Sequence, residues 1–286
     1  MADGTVRYEI DEVTFELREA HDFGWLRELG QVFAVFDRQD SGNISFGVLR
    51  DGEKLFIKYA GAKPVCFSGE ACEAVTRLRA ATVLYQKLAH PYLVKWMGEI
   101  ELPFGYAAVF QWQEGTGLRG AEAMGRFKGL PLGDRLAALG RIFEFHAHVE
   151  EKGYAAVDFY DGSLLYDYAG GGLTICDIDV YQQVPFVNPV GRLWGSSRFM
   201  SPEEYVLGAE IDGCTNVFTM GAMAFALAGG GGGDRSPALW EAGEARYAVA
   251  LRAVQADRSL RYPAVSAFKA AWDTAGGDGT IDLEEG

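Results

Sequence analysis

Residues 211–229, IDGCTNVFTMGAMAFALAG, are apolar or small around nearly every turn of the helix they predict. A helix without a polar face has to be covered on all sides by other elements. The chain must therefore build a body of several helices around this one, and 286 residues suffice for a core of that size. LGDRLAALGRIFEFHAHVEEKG, from Leu132, predicts a long amphipathic helix beside it. Two more helices are expected at about 236–256 and 262–273, with the five glycines at 229–233 as a loop.

The first part of the chain has a different period. VTFEL at 13–17 leans to strand, and Trp25 to Phe36 reads as a short amphipathic piece. Ile44, Phe46 and Val48 alternate with polar or small residues, Asp51-Gly52 is a hairpin turn, and Leu55, Ile57 and Tyr59 alternate again. Residues 70–89 carry apolar positions at helical spacing and stop at His90-Pro91, and YLVKWMGEIEL and YAAVFQWQ read as two more strands. The expectation is an α+β chain: five antiparallel strands with one helix over 1–112, and a mainly helical part over 113–273. Lys58 falls on the face opposite Ile57, which by itself predicts a solvent-facing strand lysine.

Hydrophobic residues make up 49% and charged residues 23%, which indicates neither disorder nor a membrane protein. With no membrane-length apolar run and no signal-like start at Met1, a cytoplasmic protein without a membrane partner is expected. Cys66, Cys72, Cys176 and Cys214 lack CxxC spacing and read as reduced thiols. A net charge of −14 argues against nucleic acid as a partner. Asp273, Asp278, Asp282, Glu284 and Glu285, with Gly276, Gly277 and Gly279 loosening the segment, predict a flexible acidic tail over 274–286.

The chemistry-bearing stretch is Tyr154 to Asp179. Leu164, Leu165, Tyr166 and Tyr168, the AGGG turn at 169–172, then Leu173 and Ile175 predict a hairpin, with Asp158 before it and Asp177 after it. Two carboxylates at the mouth of one small sheet can divide their work: one takes a proton from a hydroxyl, the other holds a cation. FDRQDSGNISFGV also has part of the spacing of a calcium loop, but Gln39 and Val48 stand where ligands are needed.

An acid pair around a hairpin, preceded by a strand lysine, resembles the order of parts in protein kinases. Lys58 in FIKYAG is similar to the lysine of VAIK, Asp158 in AVDFYDGS to the aspartate of HRDLxxxN with Ser163 at its asparagine, and Asp177 in DID to the aspartate of DFG. WGSSRFMSPEE at 194–204 resembles GTxxYMAPE with Ser196 at the threonine, NVFTMG at 216–221 resembles DVWSLG, and ADRSLR supplies Arg261 as the partner of Glu203.

The resemblance implies a bilobal kinase-like fold and an ATP-dependent phosphotransferase. In that reading Asp158 is the base and Lys58 holds the phosphates. Gly42 and Asn43 offer backbone N–H groups to the phosphates, Gln111 to Gln113 would bond adenine, and Asp177, Ser163 and Asp179 would bind Mg²⁺. The acceptor would be a protein or small-molecule hydroxyl. The chain departs from the pattern at Ala81 for the helix glutamate, Tyr160 for the catalytic-loop lysine, Ala156 and Val157 for His-Arg, Asp179 for the glycine of DFG and Asn216 for Asp. Its sparse glycine loop is more like that of aminoglycoside phosphotransferases. A pseudokinase and a small-molecule phosphotransferase are the alternatives.

Overall fold

The computed structural model describes residues 5–230 and 234–277. Its contacts divide the chain into two units, 1–113 and 114–286. Both helices and antiparallel sheets are present, so the chain is α+β.

In the first unit, β1 (Val6–Ile10) and β2 (Val13–Leu17) form a separate hairpin, turned at Asp11 with φ +52°. α1 (Leu26–Leu29) is a single turn leading into β3 (Gln31–Phe36). β3 joins β4 (Asn43–Arg50), β5 (Glu53–Ala60), β6 (Trp96–Leu102) and β7 (Gly105–Gln111) in one antiparallel sheet of order β3-β4-β5-β7-β6. The β4–β5 turn is Asp51-Gly52, both at positive φ (52° and 84°), which matches the twist of the flanking strands.

Two expectations are corrected here. VTFEL lies outside the five-stranded sheet and Gln31–Phe36 takes its place. Trp25 to Phe36 is one helical turn followed by strand, because Gly30, at φ +147° and too close to the Leu49 carbonyl for a Cβ, ends the helix there.

One sheet face carries Ile44, Phe46, Val48, Ile57, Tyr59 and Ala107, and the β1–β2 hairpin closes over it with Phe15 and Leu17. The other face receives α2 (Ala71–Lys87): the Tyr85 ring meets Phe110 edge-on at 4.7 Å, and Leu78 and Ala81 are buried. Both faces are covered, so the alternation that predicts a solvent-facing Lys58 misleads. The lysine is only 8% exposed.

The second unit is built around α5 (Gly213–Ala228), in which every residue from Thr215 to Ala228 is buried. The Asp212 carboxylate caps it by accepting from Cys214 N–H at 2.8 Å. Around it stand α3 (Ala121–Lys128), α4 (Leu132–Glu151), α6 (Glu244–Ala253) and α7 (Val265–Gly277). Gly221 lets α6 come close, since a Cβ there would lie 2.7 Å from that of Ala253. Phe143 of α4 packs on Phe268 and Trp272 of α7 at 4.9 and 5.3 Å.

Four helix boundaries differ from expectation. Helix begins at Ala121, before Leu132. Pro237 and Gly243 confine α6 to 244–253, and α7 starts only at Val265. Residues 274–277 finish α7 and are not tail, while 278–286 lie outside the described residues. Short strands complete the unit: β8 (Thr116–Gly117) with β10 (Leu164–Asp167) and β11 (Gly172–Ile175), β9 (Tyr154–Ala155) with β12 (Gln182–Gln183), and β13 (Phe186–Val187) with β14 (Glu210–Ile211). Among the described residues no helix is long and apolar enough to cross a membrane.

Candidate active site

The expected hairpin is formed, with Leu164 opposite Ile175 and Asp167 opposite Gly172. Gly171 at φ +68° turns it, and the Asp167 carboxylate accepts from Ala169 N–H at 2.9 Å. The second strand stops at Ile175. The ladder gains one more bond, from Cys176 N–H to the Ser163 carbonyl at 2.9 Å, which leaves Asp177 one residue beyond a fixed pair.

At the other mouth, Asp158 has φ +62°, a left-handed backbone that non-glycine residues seldom hold without support from their surroundings. The support is visible. Asn216 of α5 reaches back to the strand before it: its side-chain oxygen accepts from Ala156 N–H at 2.8 Å and its amide donates to the Tyr154 carbonyl at 2.9 Å. An aspartate here could accept but not donate, so asparagine suits a site that faces both an N–H and a C=O. Val157 and Ala155 pack with Leu193, Met200 and Ile211. Phe159 is buried against the His146 ring at 4.2 Å.

His146 is itself a core residue. Its Nδ1 lies 2.7 Å from the Ile142 carbonyl and must donate, so Nε2 accepts from the Tyr181 hydroxyl at 2.8 Å. Burial drives its pKa down to about 3, which keeps the ring neutral.

Asp158 and Asp177 share a neighbourhood. Burial raises the Tyr181 phenol well above its ordinary value, and the negative charges of Asp177 and Asp158 raise it further. Tyr160 is raised first by burial, opposed by Arg119, and raised again by Asp177, Asp158 and Asp161. Both phenols therefore stay protonated beside two carboxylates. Ser163 is fully buried, and among the described residues its hydroxyl has no hydrogen-bond partner. Asp177 and Asp179 are half-buried on either side of Ile178, which points into the core at 1% exposure. Among the described residues there is no cluster of three or more His, Cys, Asp or Glu side chains able to hold a metal.

In the first unit, cross-strand register puts Ser45, Lys58, Ala108 and Glu99 in one row on the α2 side of the sheet. Asn43 lies on the same face, two residues from Ser45. Both are buried, and among the described residues Asn43 Oδ1 and Ser45 Oγ lack hydrogen-bond partners. Gly42, at φ +85°, is buried where a Cβ would come within 2.8 Å of Phe67 and 2.9 Å of Ala74, so packing already requires glycine there. Asn43 N–H points to Ser41 Oγ at 3.4 Å.

Glu73 and Glu70, the acids near the start of α2, are exposed beside Arg77 and Lys63 at 3.9 and 3.8 Å. Ala81 is fully buried. The 111–113 strand end is held by Gln111 N–H to Lys95 O at 2.9 Å and Trp112 N–H to Lys54 O at 3.2 Å, with Gln113 half-buried.

Sequence reasoning did not find two features. Arg198 makes a bidentate pair with buried Asp161, across 37 residues, and no local pattern announces it. Phe33, Phe56 and Trp112 gather on the Lys58 face over Gly47, whose Cβ would lie 2.7 Å from Phe33 and 2.9 Å from Trp112. They lie far apart along the chain, and no local pattern joins them. No protein-family model matches the chain, and no characterised protein sequence matches it either.

Proposed function

We propose that the two units are the lobes of a protein-kinase-like fold and that the chain transfers the terminal phosphoryl group of Mg-ATP to a hydroxyl acceptor. The observation that carries this reading is the pair Asp158 and Asp177 at the two mouths of one hairpin, both acting on Tyr160 and Tyr181, with the unpartnered Ser163 hydroxyl between them in sequence.

The donor set fits a magnesium ion, which takes hard oxygens and commonly needs only one or two protein carboxylates, the rest being waters and phosphates. Asp177 would supply one, Asp179 or Ser163 another. When bound, the ion neutralises charge on the phosphates and on the leaving group. Lys58 would hold the α and β phosphates, and buried Asn43 and Ser45 leave polar atoms available beside it. Asp158 would align the acceptor hydroxyl and take its proton as the new O–P bond forms and ADP departs with the electrons of the old one. Tyr160, kept protonated, can donate a hydrogen bond where the family pattern has a lysine.

The second reading, a pseudokinase that binds partners without catalysis, is favoured by the packing of Phe33, Phe56 and Trp112. These bulky rings occupy the face of the sheet that carries Lys58, beside Gly47. An assay with γ-labelled ATP, offering generic proteins and a panel of aminoglycosides, separates the readings. Label on protein supports a protein kinase and label on the small molecule an antibiotic-type enzyme. No transfer, with no magnesium-dependent thermal shift by ATP, leaves the pseudokinase.

A further inference from the structure

The loop from Asp158 to Ser163 is fastened by three other segments. Asn216 holds its entry from α5, and Cys176 holds its exit from the end of β11. The third fastening comes from 192–200, which contains no helix or strand and exposes Trp194 by 70%. Gly195, at φ +146°, lays its backbone against the loop: a Cβ there would be 3.8 Å from Asp158 Cα and 2.9 Å from Met200. Three residues later Arg198 places Nη1 2.7 Å from Asp161 Oδ2 and Nη2 2.7 Å from Oδ1. The Asp161 side chain is 2% exposed and that of Arg198 42%.

A buried carboxylate that loses its cation is left as an uncompensated charge, so Asp161 can stay inside only while Arg198 is in place. Asp161 also opens the 3₁₀ turn that ends at Ser163. The direction of dependence follows from exposure. Trp194 and Arg198 of this segment are exposed while Leu193, Phe199 and Met200 are buried beneath them, and the segment has no ladder of its own, whereas the other two fastenings belong to regular elements.

We infer that Arg198 is a positioning residue: by pairing with Asp161 it makes the geometry of Asp158 and Ser163 conditional on the seating of segment 192–200. The inference rests on the phosphotransferase reading for its effect on rate, but not for its effect on the loop.

The test uses the full chain as Arg198→Ala, Arg198→Lys, Asp161→Asn and the double variant Asp161→Asn/Arg198→Ala. In Arg198→Ala, amide exchange at Phe159 and Ser163, bonded to the Ala156 and Tyr160 carbonyls, rises about tenfold or more while α4 and α5 are unchanged. With transfer measurable, kcat falls by up to about a hundredfold while the KM for ATP stays within about twofold, the signature of misplacement without lost binding. Arg198→Lys, which keeps the charge and loses the fork, falls between. Asp161→Asn/Arg198→Ala is no worse than Arg198→Ala, because the two side chains act as one unit.

Unchanged exchange in the 158–163 loop of Arg198→Ala overturns the inference. So does an unchanged kcat in an active wild type. If Arg198→Ala fails to fold, Arg198→Lys and Asp161→Asn are read by the same criteria. A wild type without transfer counts against the proposed function alone, and the exchange measurement still decides the positioning claim.

Discussion

Arg261 uses every N–H of its guanidinium. Its Nη1 and Nη2 reach Glu203 at 2.7 and 2.9 Å, and its other N–H groups reach the carbonyls of Gln255, Ala256 and Cys214. Burial raises the Glu203 carboxyl, but the bonds from Arg261 outweigh it, and the net shift is downward. Arg261→Ala leaves the buried Glu203 carboxylate to the Thr215 hydroxyl at 3.0 Å and Arg258 Nε at 3.9 Å, so it should destabilise the chain by about 3 kcal/mol or more in chemical denaturation.

Glu150 and Glu204 behave in the opposite way, since burial lifts both to about 7. A raised folded pKa contributes stability that is complete below the unfolded value of 4.5 and disappears as pH climbs through about 7. Buried His146, lowered to about 3, gives stability present above 6.5 and lost on acidification, so it opposes them between. The clean observable is a difference. Glu150→Gln/Glu204→Gln should gain stability relative to wild type as pH rises from 5 to 8, and a pH-independent difference in urea midpoints would contradict the assignment.

At the scale of elements, legibility in the sequence followed how local the cause was. The β4–β5 and β10–β11 hairpins were readable because alternation and the turn residues Asp51, Gly52 and Gly171 lie within a few positions. The buried character of α5 was readable from its uniform composition. β3 was not, because its strand state comes from pairing with β4 and from Gly30 ending the preceding turn. Lys58 was misread because period-2 alternation says which face a residue takes, not whether a later helix covers that face. The departure at Asn216 was visible, yet its meaning needed the two backbone groups it faces. Asn216→Ala should lose about 2 kcal/mol, since two buried hydrogen bonds go and an N–H and a C=O are left unpaired. Asn216→Asp should cost at least as much by burying a charge against the Tyr154 carbonyl. A loss under about 0.5 kcal/mol for both, in the same denaturation assay, would mean that the clamp does not carry the loop.

For the whole molecule, the proposal joins two bodies of observation that arise separately. The first unit presents a buried lysine with polar neighbours, the second a strained aspartate and a second aspartate around a hairpin. The order Lys58, Asp158, Asp177, Ser201-Pro202-Glu203, Arg261 is what the kinase resemblance requires, and the Glu203–Arg261 pair is formed. The aromatic rings beside Gly47 are the feature that pulls toward a scaffold role. Both accounts agree on the framework and part on whether phosphate moves. The measurement that tests this most directly is the rate of γ-phosphate loss from Mg-ATP by wild type beside Asp158→Ala and Asp177→Ala. The account predicts transfer in wild type that falls about a hundredfold or more in Asp158→Ala, with ATP-dependent thermal stabilisation retained, and both transfer and magnesium-dependent stabilisation lost in Asp177→Ala. Equal rates in all three, or no transfer in any, would contradict it.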